Sequence, residues 1–179
     1  MKSILRSMKL WQKFGALGAL SAVMCAVPLM KVIEYRNGEI AVAKGEEAGI
    51  DPARTLVELE KSLQFHRGLT ALVLGGNAAA DSDRRTREAE VNVQIAQLIK
   101  QAGEVGYDKV VDDGKDIKAA WEKLEQQVNA RGISAAESFT AHSALVTRTI
   151  DSLERVADVS GLSLDPMSDS YYVMTAVFT

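Results

Sequence analysis

From Phe14 to Met30 the chain carries no charged side chain, and apolar residues continue to Ile33 with only Lys31 interrupting them. No other feature restricts the possible folds as strongly. About 20 apolar residues at the helical rise span about 30 Å, the thickness of a bilayer's hydrocarbon core. Lipid offers no partner for peptide groups, so such a segment must be a helix that satisfies its own backbone. Trp11 precedes the stretch and Tyr35 follows it, where amphipathic aromatics favour the headgroup region. Lys2, Arg6, Lys9 and Lys13 precede it without an acid, which orients the start of the chain inward. The sequence therefore divides into a cytoplasmic stretch 1–13, a transmembrane helix 14–33 in the inner membrane and an extracytoplasmic part 34–179. A cleaved signal peptide fits poorly, because Met24-Cys25-Ala26-Val27-Pro28-Leu29-Met30 lacks the small-x-small cleavage pattern. Gly15 with Ala19, and Gly18 with Ala22 and Ala26, place small residues four apart, a spacing that lets two membrane helices approach.

Charge and residue inventory exclude several function classes. The formal net charge is −3 with +4 in the first 13 residues, leaving −7 beyond them. That balance does not suit a nucleic-acid surface. Cys25 is the single cysteine, so no internal disulfide forms. The two histidines lie 76 positions apart, far from any metal-binding spacing, and no cofactor is implied. Asp108, Asp112, Asp113 and Asp116 resemble a calcium loop superficially, but Lys109 and Val111 occupy positions where an EF-hand needs acids. Gly75-Gly76 has neither the lysine nor the preceding strand of a phosphate loop. No nucleophile elbow or carboxylate dyad is present. An enzyme is not expected.

Beyond residue 50 the apolar residues recur at alternating spacings of three and four. Leu56, Leu59, Leu63, His66, Thr70 and Val73 form one stripe, and Val91, Ile95, Leu98 and Ala102 a second. Ile117, Trp121, Leu124 and Val128 form a third; Phe139, His142, Val146, Thr149, Leu153 and Val156 form a fourth. Stripes of this kind bury one face of each helix against its neighbours. The reading is all-α: an antiparallel bundle of four-helix type, or two stacked bundles. Helices are expected near 14–48, 52–75, 83–102, 115–131, 134–160 and 166–179. The breaks fall at Gly49-Ile50-Asp51-Pro52, Gly75-Gly76-Asn77, Gly103 and Gly106, Asp112-Asp113-Gly114, Gly132, and Gly161 to Pro166, where glycine, a capping acid or proline punctuates the pattern. The last helix is short and ends on the apolar run Val173 to Phe178. The sequence thus reads as a sensor cut short, with a return helix and an output domain expected beyond residue 179.

Three stretches carry a family resemblance: Gln64-Phe65-His66-Arg67-Gly68-Leu69-Thr70, then Leu74-Gly75-Gly76-Asn77, and Ser160 to Met174, which reads SGLSLDPMSDSYYVM. Together with the basic start and the anchor they resemble the N-terminal sensory region of bacterial chemoreceptors, the methyl-accepting chemotaxis proteins, over residues 10–179. The resemblance implies an extracytoplasmic bundle that binds a small molecule, acts as a homodimer and passes a helix shift across the membrane. Similar sensors precede histidine kinases and diguanylate cyclases, and a helical membrane scaffold that binds nothing is the bland alternative.

His66, Arg67, Thr70 and Asn77, with His142, Tyr171 and Tyr172, are the candidate ligand residues. His66 and Thr70 interrupt a leucine-rich stripe, and a polar group facing a core is tolerated where a partner or ligand completes it. Arg67 offers a planar fork of donors suited to a carboxylate. His142 lies on the fourth stripe, and the tyrosines carry hydroxyls on aromatic bodies. Each also has a plain structural reading as a core or surface group. Arg84, Arg85 and Arg87 read as a solvated basic face. If the anchor is retained, mass spectrometry of the membrane-inserted protein will find the mature N-terminus upstream of Met24; a terminus beyond Met24 would mean a signal peptide.

Overall fold

The computed structural model describes residues 9–164, which fall into two compact units divided between Lys44 and Gly45. Helix α1 runs Leu10–Leu74, a 3-10 turn covers Ala78–Ala80, α2 runs Asp81–Glu104, α3 Asp108–Asn129 and α4 Ala135–Ser160, and a last 3-10 turn covers Leu162–Leu164. Among the described residues there is no strand. In the first unit Leu17, Leu20, Val23, Val27 and Leu29 are all exposed, so the apolar stretch of α1 has no protein core to face. Its length and composition are those of a membrane-spanning helix.

The second unit is an antiparallel four-helix bundle. Thr55 Oγ1 donates to Gln101 Oε1 at 2.8 Å across α1 and α2. Trp121 Nε1 donates to Asn92 Oδ1 at 2.7 Å across α2 and α3. Arg155 Nε bonds Asp113 Oδ2 at 2.7 Å across α3 and α4, and His66 meets His142 across α1 and α4. Asp113 near the start of α3 meets Arg155 near the end of α4, and mid-helix Asn92 meets mid-helix Trp121, as antiparallel neighbours joined by short connections do. The core has two parts. Leu59, Leu63, Val91, Ile95, Ile117, Leu124, Val128, Leu145 and Val146 surround Trp121. Leu56, Leu98, Ala102, Val110, Leu153 and Val156 form the other. The first three expected stripes are buried as read, except that Val73 is only partly so. On α4, Phe139 is 52% exposed and does not belong to its stripe; Ser138, Leu145, Ser152, Ala157 and Ser160 are the additional buried positions.

The helix ends show which glycines punctuate. Gly76 and Gly106 have positive φ, at 100° and 77°. Asn77 N bonds Leu72 O, and Tyr107 N bonds Ala102 O, each five residues back, as in a Schellman turn. At the end of α3 the same pattern, Gly132 N to Gln127 O, places Arg131 rather than the glycine at φ 50°. Ser134 and Glu137 form a reciprocal capping box that starts α4.

Two expected breaks do not occur. Gly49-Ile50-Asp51-Pro52 lies inside α1, and Asp112-Asp113-Gly114 inside α3. Neither glycine has a positive φ. Both serve close contact instead: a Cβ on Gly49 would stand 2.4 Å from Ser160 Cβ, and one on Gly114 2.8 Å from Ile99 Cγ1. Pro52 removes one helical hydrogen bond but is buried in the bundle, where packing holds the helix through it. Helix α2 also starts earlier than expected, at Asp81, and α3 at Asp108. The expected helix 166–179 lies outside the described residues.

Glycine substitutions follow from this contrast. Gly49→Ala overpacks the α1–α4 contact and will cost about 1–3 kcal/mol in urea unfolding. Gly68 lies within α1, and a methyl added there would meet nothing within 4 Å. Gly68→Ala will therefore gain about 0.5–1 kcal/mol from helix propensity alone.

Candidate functional site

Where α1, α2 and α4 converge near the Leu74–Ala80 connection, the core turns polar. His66 and His142 are fully buried, and Arg84 is 2% exposed. His142 Nδ1 lies 2.7 Å from the Ser138 carbonyl oxygen, which can only accept, so Nδ1 carries the proton. In a neutral ring Nε2 is then an acceptor. His66 Nδ1 stands 2.8 Å from it and must be the donor. That leaves His66 Nε2 as an acceptor facing Arg84 Nη1 at 3.4 Å. One directed chain thus runs from α2 through α1 to the backbone of α4. The Thr70 hydroxyl lies 3.3 Å from His66 Nδ1, and the Ser138 hydroxyl 3.3 Å from His142 Nδ1, as secondary partners. Trp121 closes the site edge-on, its ring centroid 4.9 Å from that of His66.

Arg84 is buried with its charge compensated. Its Nε donates to Asp81 Oδ1 at 2.8 Å, its Nη1 to Glu88, and its Nη2 to Asn129 Oδ1 at 2.9 Å. Burial opposes the charge, but the bonds to Asp81 and Glu88 outweigh it and raise the guanidinium's pKa. Burial, then His142, then Arg84 push His66 down to about 3. Burial also lowers His142, assisted by Arg67 and opposed by the Ser138 carbonyl. Burial thus favours the neutral form of both rings, the form in which the donor directions above hold. Glu88 Oε2 lies 3.8 Å from His66 Nε2, too far for a hydrogen bond.

Arg67 occupies the outer side of the same level. It is half-buried. Its Nη1 donates to Ser143 Oγ at 3.0 Å, and its guanidinium carbon stands 4.6 Å from the centre of the Phe139 ring. Among the described residues it has no carboxylate within 4.0 Å, whereas Arg84, Arg85 and Arg87 all have one. Consecutive residues of α1, His66 and Arg67, thus bond to consecutive residues of α4, His142 and Ser143.

The structure brings His66, Arg67, Thr70 and His142 together. Asn77 stands apart, exposed in the connection, where its Oδ1 accepts Ala79 N–H at 3.2 Å. Tyr171 and Tyr172 lie outside the described residues. Arg84 corrects the reading of a solvated basic face: Arg85 is exposed, but Arg84 is the buried centre of the polar layer. Glu88, Asn129 and Trp121 complete that layer, and only the four-residue spacing of Arg84 and Glu88 announces any of it locally. Among the described residues no cluster of three acidic, histidine or cysteine side chains could hold a metal ion.

The family model described as nitrate and nitrite sensing, NIT, matches residues 58–176, more than half of the chain. The chain belongs to the NIT family. Neither a curated protein nor a solved structure matches it. The matched span contains all of the candidate residues. NIT domains are sensory and non-catalytic, of a type found in bacterial chemoreceptors. This one is an extracytoplasmic helical domain that follows an N-terminal membrane-spanning helix.

The buried histidines make stability depend on pH. Below about pH 6.5 the unfolded chain's histidines take up protons while the folded ones stay neutral. Stability is then lost as pH falls, by up to about 1.4 kcal/mol per pH unit for each histidine. Urea midpoints of the full chain in detergent will drop between about pH 6.5 and 5, and the double variant His66→Asn with His142→Asn will lack that slope.

Proposed function

We propose that this NIT domain is the ligand-binding part of a chemoreceptor-like transducer, that it takes a small planar oxyanion on Arg67, and that occupancy shifts α1 against α4. The half-buried arginine, without a carboxylate partner among the described residues, carries the reading. A buried or half-buried charge is ordinarily paired. Arg67 instead presents a forked donor beside a polar layer that already satisfies its own members. Nitrate and nitrite, the ions in the family's description, and a carboxylate all offer two oxygens in one plane, which suits that fork.

The transmission step draws on how little joins α1 to α4. Among the described residues two side-chain hydrogen bonds cross that seam, those of His66 and Arg67. Several other α4 hydroxyls turn back on their own helix: Thr147 donates to Ser143 O and Thr149 to Leu145 O. An anion held on the free edge of Arg67 therefore pulls on one of two ties and favours a second packing of the same helices. A homodimer fits the outer side of α1, where Ile50, Val57, Phe65 and Leu72 are exposed at spacings of seven and eight. Coupling to a histidine kinase or cyclase output would use the same seam.

Calorimetry on the full chain in detergent tests the reading, with nitrate, nitrite and acetate as titrants. Arg67→Ala will lose about ten- to hundredfold in affinity, the worth of a charge-assisted bond of about 1.5–3 kcal/mol. Its circular dichroism will stay unchanged. Equal affinity in that variant, or no heat with any of the three anions, would leave a scaffold without a ligand.

A further inference from the structure

Two arginines of the bundle lie over aromatic rings, and they differ in what their donors do. Arg87 stands 5.0 Å from the Phe65 ring centre, but its Nη1 is committed to Glu90 at 2.6 Å. Arg67 stands 4.6 Å from the Phe139 ring centre and gives Nη1 to an uncharged hydroxyl. Its Nε–H and Nη2–H, the side-on edge of the fork, have no acceptor among the described residues. Phe139 is half in water, so its ring adds little to the core. It lies one turn before Ser143 on α4, and residues four apart share a helix face. Ser143 Oγ gives its own proton to the Phe139 carbonyl at 2.9 Å, which turns a lone pair toward Arg67. The ring thus covers one face of the guanidinium while the hydroxyl fixes one end of it.

We propose that Phe139 and Ser143 are positioning residues that hold the Arg67 guanidinium flat, with its Nε–Nη2 edge turned outward for a planar oxyanion. This rests on the reading of Arg67 as the anion-binding group. An arginine held before capture loses less side-chain freedom on binding, so the two residues set affinity without touching the ligand. The ring leaves the guanidinium plane as the open approach, which matches the in-plane, two-point contact of nitrate.

The test uses the full chain in detergent and two readouts. Nitrate calorimetry of Phe139→Leu and Ser143→Ala will show roughly two- to tenfold weaker binding, and Phe139→Tyr, which keeps the flat face, will restore it. Nitrogen-15 relaxation of the Arg67 Nε–H, measured without anion, will show an ordered group in the native chain and a mobile one in Phe139→Leu. Unchanged nitrate affinity in Phe139→Leu, or equal Nε–H order in both proteins, would overturn the positioning role while Arg67→Ala still reports on the anion reading. A native chain that gives no heat with nitrate or acetate overturns the anion reading and the proposal with it, even where the ring orders Arg67.

Discussion

The bond between His66 and His142 is the contact on which the bundle's arrangement turns, because it is buried, directional and has one workable polarity. The Ser138 carbonyl dictates the His142 tautomer, that tautomer makes His66 a donor, and the remaining His66 nitrogen needs Arg84. Arg84 is tolerable at 2% exposure only because Asp81, Glu88 and Asn129 take its donors. A satisfied buried hydrogen bond adds about 1 kcal/mol net, while an orphaned partner costs about 1–3 kcal/mol. The energy in the layer is therefore modest, and its specificity is large. Sliding α1 by one turn, about 5.4 Å, would separate His66 from both partners and strand three polar groups.

That layer sits beside an otherwise permissive seam. Many of the positions that α1 and α4 bury are small or hydroxylated: Gly49, Ser62, Thr70, Ser138, Thr149, Ser152 and Ser160. Leucine and isoleucine knobs would lock such an interface along its whole length. Here the large side chains gather around Trp121 and around Leu98 instead. The seam's register thus rests on a few polar contacts at one level, and that level is where Arg67 meets solvent. On the proposed anion reading, this places the point of control next to the point of access.

Much of the fold was legible because burial on a helix repeats every three to four residues. Leu56 to Thr70, Val91 to Ala102 and Ile117 to Val128 declared their inner faces without any knowledge of their partners. Phe139 misled because a large apolar residue at the right spacing looks buried, while the small Ser138 beside it takes the inner position. Gly49 and Gly114 misled for a different reason. Glycine serves both turns and tight contacts, and the second use depends on the facing helix, through Ser160 and Ile99 here. His66, Thr70 and His142 stood out as polar interruptions of apolar stripes. Arg84 did not, since its burial depends on Asn129 and His66, residues 45 and 18 positions away.

The interdependence of the two histidines also constrains how this chain can drift. Losing either ring alone leaves the other with an unfilled nitrogen in a dry core, whereas replacing both with a matched apolar pair removes the demand altogether. Selection should therefore see positions 66 and 142 as a single site: single changes are purged, and paired ones pass. The buried Arg84 is linked to the same exchange, since without an acceptor at His66 its donors are left to Asp81, Glu88 and Asn129. Lineages of this domain that abandon the pair are then expected to re-choose residue 84 as well, so that three positions far apart in sequence evolve as one.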